Sequence, residues 1–213
     1  MSALEADFEL ERGALKLSVK LSAEPGITIL FGPSGAGKST LLSVLAGLLK
    51  PSRGRIVLAG RTLFADGLDL PPHARGISLV FQKPALFPHL TVLGNVEYGL
   101  PRGPERRDRA VRMLERMRVA PLAHRRPATL SGGEAQRVSL ARAFAREPRL
   151  VLLDEAFSAL DPRLRGELNQ EVRALVSEAG VPALQVTHDA AEARAMGDRW
   201  LTLEDGHLSS SAL

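Results

Sequence analysis

Hydrophobic and polar positions alternate at the start of the chain. Leu4, Ala6, Phe8 and Leu10 share one parity, and Leu15, Leu17, Val19 and Leu21 share another. A period of two predicts strands with one buried face, here an antiparallel hairpin turning at Arg12-Gly13. Arg55–Leu58 and Arg61–Phe64 flank Ala59-Gly60 and predict a second hairpin. Elsewhere the apolar residues come in short unbroken runs, at Ile27–Phe31, Gly76–Gln82, Leu150–Leu153 and Ala183–Thr187. Such runs predict strands covered on both faces, as in a parallel sheet. Leu41–Leu49 reads as a helix stopped by Pro51, and Glu105–Arg118 sets Val111, Leu114 and Met117 at helical spacing. Between Lys83 and Leu130 the character changes, opening with Pro84, Phe87-Pro88-His89 and Asn95, which read as loop. Strands and helices interleave, so the class is α/β.

The polar residues that interrupt this pattern carry the chemistry. Strand Ile27–Phe31 runs into Gly32-Pro-Ser34-Gly35-Ala36-Gly37-Lys38-Ser39-Thr40, a match to G-x-x-x-x-G-K-[ST], and a helix follows. Gly32, Gly35 and Gly37 let the backbone wrap an anion, and the helix N-terminus adds its positive pole. Lys38 supplies a mobile charge for phosphates and Ser39 a hydroxyl ligand for Mg²⁺. A glycine turn before a helix is the plainer alternative, and the strand–loop–helix context outweighs it. The loop is expected to bind a nucleoside triphosphate.

A second glycine-bearing helix start follows at Leu130-Ser131-Gly132-Gly133-Glu134. Ser131 and Glu134 have the spacing of a capping box. The box explains serine and glutamate but not two glycines, which weaken a first turn. They predict a second anion-binding surface open to close approach. Leu150–Leu153 then delivers Asp154 and Glu155 at a strand's carboxyl end, where ligand sites in parallel sheets lie. Asp154 is placed to hold Mg²⁺, and Glu155 to take a proton from attacking water, although two solvated acids at a strand exit would be unremarkable alone. Ser158-Ala-Leu-Asp161 comes next, and Ala183–Thr187 delivers His188 to the same sheet edge. His73, His89, His124 and His207 read as structural or merely exposed.

Composition trims the alternatives. The 213 residues are 45% hydrophobic and 24% charged, ordinary for a soluble domain able to bury a core. Cysteine is absent, which excludes disulfides, thiolate catalysis and Cys-ligated zinc. No apolar run approaches the roughly 18 residues of a membrane span, and Met1–Leu10 is too acidic for a signal peptide, so a cytoplasmic location is expected. The net charge is +4, and nine arginines lie between Arg102 and Arg126. No aromatics are interleaved for base stacking, and Glu105, Asp108 and Glu115 sit at helical spacing, so this run reads as a solvated helix face. No nucleic-acid partner is expected.

Taken together, Gly32–Thr40, Gln82, Leu130–Glu134, Leu150–Glu155, Ser158–Asp161 and His188 resemble the ATP-binding subunit of ABC transporters. The resemblance runs end to end. It implies a P-loop NTPase fold with a RecA-like core of mainly parallel sheet, an N-terminal antiparallel β subdomain and an inserted helical subdomain. Residues 1–84 and 148–213 would form the core with its β subdomain, and 85–147 the helical subdomain. The cofactors implied are ATP and Mg²⁺. Gly32, Ser34, Gly35, Ala36, Gly37, Lys38, Ser39 and Thr40 would cradle the phosphates, with Ser39, Gln82 and Asp154 at the metal. Gln82 would also contact the attacking water, Glu155 would be the general base, and His188 would contact the γ-phosphate. Ser131, Gly132 and Gly133, with Asp161, would complete the nucleotide site across a head-to-tail homodimer formed with ATP. A membrane permease would dock near Ala85–Asn95, holding the subunit peripherally at the cytoplasmic face of the membrane.

Within the family, Leu86–Val92 and Gly94–Gly99 are similar to importer ATPases, most of all the molybdate type. Departures stand beside the likeness. The chain stops at Leu213 without the β-rich regulatory domain common in that group. Around Gly13-Ala14-Leu15 there is no aromatic to stack on adenine, and Phe8, the nearest, is expected to face the core. Ala156 follows Glu155 where proline is usual. A soluble ABC-type ATPase of DNA repair or translation is the alternative, but it calls for a long coiled-coil insertion or two fused halves. A P-loop kinase or GTPase leaves the Leu130–Glu134 motif and His188 unexplained.

Overall fold

The alternating N-terminal stretches form β1 (Leu4–Arg12) and β2 (Leu15–Ala23), antiparallel, with Leu4 opposite Ala23 and Leu10 opposite Leu17. Their inward positions are buried, Phe8 at 1% exposure among them. β3 (Gly26–Phe31) and α1 (Lys38–Ala46) follow. β4 (Arg53–Leu58) and β5 (Arg61–Ala65) turn at Ala59 and Gly60, whose φ values of 48° and 75° suit a two-residue hairpin. A third strand, β6 (Leu68–Asp69), extends this ribbon. Two residues carry no periodicity, so the sequence gives no sign of it.

The rest of the chain supplies β7 (Ile77–Val80), α2 (Val92–Glu97), α3 (Arg106–Arg116), α4 (Gly132–Ala145), β8 (Leu150–Asp154), α5 (Pro162–Ala179), β9 (Pro182–Val186), α6 (Ala190–Met196), β10 (Arg199–Glu204) and β11 (His207–Ser211). This computed structural model describes residues 3–158 and 160–211; Ala159, inside the Ser158–Asp161 motif, lies outside the described residues.

One eleven-stranded sheet runs in the order β6-β5-β4-β1-β2-β11-β10-β3-β9-β8-β7. From β6 to β2 the neighbours are antiparallel; from β10 to β7 they are parallel. β11 joins the halves, antiparallel to β10 and parallel to β2 at the pair His207–Ser18. The parallel sheet expected from the apolar runs is therefore one half of a mixed sheet.

Alternate residues of the parallel strands feed two cores. Leu150 and Leu152 of β8 join the cluster that holds α1 and the inward face of the first hairpin. Val151 and Leu153 join the cluster packed with residues of α2 to α6. That is why β8 reads as an unbroken apolar run: neither of its faces meets water.

Two local expectations need correcting. α1 ends at Ala46, short of Pro51, because Gly47 turns into the left-handed region at φ 79° and returns its N–H to the Val44 carbonyl. The stop is reinforced from outside: a Cβ on Gly47 would lie 2.5 Å from Nε of the buried Arg75. Asn95 is not loop but a buried residue of α2. From there its amide ties down the preceding loop, accepting from the Phe87 N–H at 2.7 Å and donating to the carbonyls of Phe87 and Thr91. An asparagine that bonds nearby backbone fits a loop pattern, which is why the sequence misleads here.

Candidate active site

Residues 32–37 form the turn between β3 and α1, and residues 38–40 open the helix. Gly32, Gly35 and Gly37 have φ values of 146°, 84° and 98°, all costly for residues with a Cβ. Gly32 is doubly constrained, since a Cβ there would lie 2.1 Å from the Leu203 carbonyl oxygen. α1 begins on Gly37 with no side-chain cap, so its first N–H groups face the cleft without a protein acceptor of that kind. Lys38 folds its ammonium back over the loop, donating to the carbonyls of Gly32 at 2.7 Å and Pro33 at 2.9 Å. The cleft above measures about 520 Å³. Its walls include Ser34, Lys38, Ser39 and Thr40 on one side and Glu155 and His188 on the other. Ala36 sits beneath, packed on the core.

Two groups of polar side chains converge on this cleft. Asp154 does not itself line the cleft but is reached from it through Ser39, whose hydroxyl donates to Asp154 Oδ1 at 3.0 Å. Burial pushes the Asp154 carboxyl above its usual range; Ser39 opposes that shift, Glu155 adds to it, and Lys38 opposes it. Gln82, two residues beyond the end of β7, does not line the cleft either but donates from Nε2 to Oε2 of the lining Glu155 at 2.7 Å. His188 Nδ1 lies 3.5 Å from Glu155 Oε1, the imidazole largely exposed and the carboxylate a quarter exposed. Sheet topology makes this meeting. β7, β8 and β9 are adjacent and parallel, so Gln82, Asp154-Glu155 and His188 all leave at the same edge. Glu155 itself sits at φ 48°, an unfavourable region for a residue with a side chain, held by its N–H to the Val186 carbonyl at 3.1 Å.

Ser131, Gly132, Gly133 and Asp161 do not line this cleft. Ser131 and Glu134 form the capping box the spacing predicts: the Glu134 N–H donates to Ser131 Oγ at 3.3 Å, and the Ser131 N–H to Glu134 Oε2 at 2.7 Å. The Asp161 carboxylate caps α5, accepting from the Leu164 N–H at 3.0 Å. Phe8 faces the core as expected, and the hairpin instead offers Leu15 to the cleft wall. The sequence also gave no sign of Arg165 and Asp189, an ion pair at 2.7 Å beside His188. No local motif marks two residues that meet only in the fold.

A glycine loop at a strand–helix junction, with a hydroxyl, two carboxylates and a histidine gathered at the ends of adjacent parallel strands, defines a P-loop NTPase. The ABC transporter family model matches residues 16–158, and the chain belongs to that family. It is 41% identical to the molybdenum import ATP-binding protein ModC of Paramagnetospirillum magneticum, over 98% of this chain and 58% of the relative. Identity to the Fe(3+) ions import ATP-binding protein FbpC of Rhizobium etli is 46%, over 91% of this chain and 55% of the relative. The chain therefore spans little more than half the length of these two relatives. Its fold is similar, with a TM-score of 0.83 and 31% identity, to an ATP-binding cassette solved as a dimer in a post-hydrolysis state bound to ADP and Pi. That match covers 99% of this chain and all of the other.

Proposed function

We propose that this chain hydrolyses ATP and so powers solute import through a separate membrane permease. The observation that carries the reading is the facing of Lys38 and Ser39 by Glu155 and His188 across one cleft. The backbone N–H groups of residues 32–40 and Lys38 take the phosphates, and the charge of Lys38 moves from the loop carbonyls to the ligand. Ser39 and Asp154 offer two hard oxygen donors 3.0 Å apart, with Gln82 close behind through Glu155. Among the described residues there is no cluster of three metal-binding side chains. That set fits Mg²⁺, which keeps waters and phosphate oxygens in its shell and needs few protein ligands. Bound there, Mg²⁺ would neutralise charge on the phosphates. Glu155 takes a proton from the attacking water, Gln82 orients both, and His188 donates to the γ-phosphate.

The second helix start supports a head-to-tail homodimer in which Ser131, Gly132 and Gly133 of one copy, with Asp161, close on ATP held by the other. Gly132 is not needed by the chain's own fold. It lies in a helix, outside the left-handed region, and a Cβ there would meet nothing within 4 Å among the described residues. Its smallness leaves room for something outside the chain. Import is favoured by relatives whose names all specify import, and among the described residues no helix is long and apolar enough to cross a membrane. The permease would dock near Ala85–Asn95, placing the subunit peripherally at the cytoplasmic face. Relatives named for molybdenum and for iron match comparably, so the solute is a property of the permease rather than of this chain.

Mixing two dead variants tests the shared site. Lys38→Ala should lose nucleotide binding in its own chain, and Gly132→Asp should put a carboxylate where a phosphate approaches. Each alone should be inactive, and the mixture should recover part of the turnover through its one intact composite site. Linear turnover from a chain shown by sedimentation to stay monomeric would overturn the shared site.

A further inference from the structure

Behind Glu155 and His188 lies a second chamber of about 210 Å³ that shares both side chains with the cleft. Ser158, Arg165, Thr187 and Asp189 form much of its remaining wall. Arg165, in the first turn of α5, bridges it. Nη1 donates to Asp189 Oδ2 at 2.7 Å, and Nη2 donates to the Leu160 carbonyl at 3.2 Å. Nε is buried with no hydrogen-bond partner among the described residues, so the guanidinium leaves one bond unmade while keeping the other two.

Asp189 directly follows His188 and is the N-cap of α6. Its Oδ1 accepts from the N–H groups of Ala191 at 2.8 Å and Glu192 at 3.1 Å, and its own N–H donates to Thr187 Oγ1 at 3.1 Å. The backbone on both sides of His188 is thus fixed through one residue. Those backbone bonds and the Arg165 charge hold the Asp189 carboxyl below its usual range, so it keeps its negative charge for the pair. Leu160 ends the turn that descends from Glu155, where the Ser158 N–H and hydroxyl both donate to the Glu155 carbonyl. α6 has seven residues, too few to hold its own start without tertiary help. The buried Glu192 faces the same chamber and is bonded to Gln185 of β9.

We propose that Arg165 is a positioning residue that fixes His188 relative to Glu155. It bonds at once to the residue after the histidine and to the turn below the glutamate. The proposal rests on reading the cleft as an ATPase site. The pair does not belong to the packed core: its side chains are 23% and 36% exposed beside a chamber, so loss of Arg165 removes alignment more than packing.

The test compares Arg165→Ala and Arg165→Lys in the full chain, with thermal melting to follow the fold. For Arg165→Ala, kcat should fall tenfold to about a hundredfold, the usual scale for small misplacements of reacting groups. KM and nucleotide Kd should stay within about twofold, since the phosphate loop and Lys38, which take most of the triphosphate, are untouched. The ring resonances of His188 should shift or broaden while those of His73, His124 and His207 stay in place. Arg165→Lys keeps the charge for Asp189 but lacks the planar fork whose two nitrogens reach Asp189 and the Leu160 carbonyl separately, so its kcat should fall between. If Arg165→Ala does not fold, the lysine variant carries the test through its reduced kcat and displaced His188 resonance. Wild-type kcat with an unmoved His188 signal in a folded variant overturns the proposal, as does a rise in KM with all histidine signals shifting. Glu155→Gln separates the levels. Absence of ATP turnover in the wild-type chain would overturn the ATPase reading itself, and full turnover in Glu155→Gln would overturn only the general-base role. Loss of turnover in Glu155→Gln beside a normal Arg165→Ala would overturn only the positioning role.

Discussion

The starts of α1 and α4 both carry glycine and serine, and they are completed in opposite ways. At α1 the cap is Gly37, in a left-handed conformation and with no side chain bonded to the first turn. At α4 the cap is Ser131, and the Glu134 carboxylate accepts from both its N–H and its hydroxyl. Those bonds hold the Glu134 carboxyl below its usual range. α1 leaves its orphan N–H groups for a ligand, whereas α4 already has an anion from its own chain. The glycines differ too. Those before α1 are demanded by their backbone angles, while Gly132 is demanded by nothing among the described residues. A site that grips a ligand alone needs strained backbone and open donors. A surface that closes on a ligand held elsewhere can be internally satisfied, and needs only to be smooth.

The largest expected effect comes from holding the two starts together. Glu155→Gln should bind ATP and lose at least a hundredfold in turnover, the scale of a missing general base. With hydrolysis blocked, size-exclusion chromatography in ATP and Mg²⁺ should show a dimer. Near-wild-type turnover would remove Glu155 from its role, and a persistent monomer would separate the two helix starts.

A subtler variant sharpens the contrast. Gly132→Ala adds a methyl group where the chain has open space, and alanine favours a helix by up to about 1 kcal/mol over glycine. Its melting temperature should hold or rise while turnover falls several-fold. A gain in stability with full activity would mean that nothing approaches Gly132 from outside. The same substitution at Gly32 should instead cost stability, because of its φ and the Leu203 carbonyl oxygen 2.1 Å from the new Cβ.

The smallest effect concerns the base. Leu15 lines the cleft where an aromatic could have stacked, so the α1 start should read the triphosphate and little else. ATP and GTP affinities, measured by titration calorimetry, should agree within about tenfold, or 1.4 kcal/mol. A much stronger preference for ATP would reveal a residue that reads adenine.

Both hairpins, the parallel strands and the capping box were legible because each is written in short-range spacing. The facing of Ser39 with Asp154, and of Gln82 with Glu155, could be inferred only from polar residues ending apolar runs, and it holds because β7, β8 and β9 are neighbours. What stayed hidden is non-local. Asn95 bonds a loop from inside a helix, β6 exists by pairing with β5, and Arg165 meets Asp189 across 24 positions. Arg75, a charged residue at 1% exposure, has the same origin, since no pattern in its neighbours requires burial.

That arginine bears on how the phosphate site works. Arg75 Nη1 donates to the carbonyls of Val44 and Leu45 at the C-terminal end of α1, at 2.8 and 2.9 Å, while Nε and Nη2 are held by the Leu70 carbonyl and Asp69. The negative pole of the helix dipole is thus matched by a resident cation that arrives with folding. The helix start that faces the cleft therefore belongs to an element already anchored and charge-compensated at its far end. Its flank packs on β7 and β8, the strands whose ends lead to Gln82 and Glu155, so the phosphate loop and the two polar residues share one anchored frame.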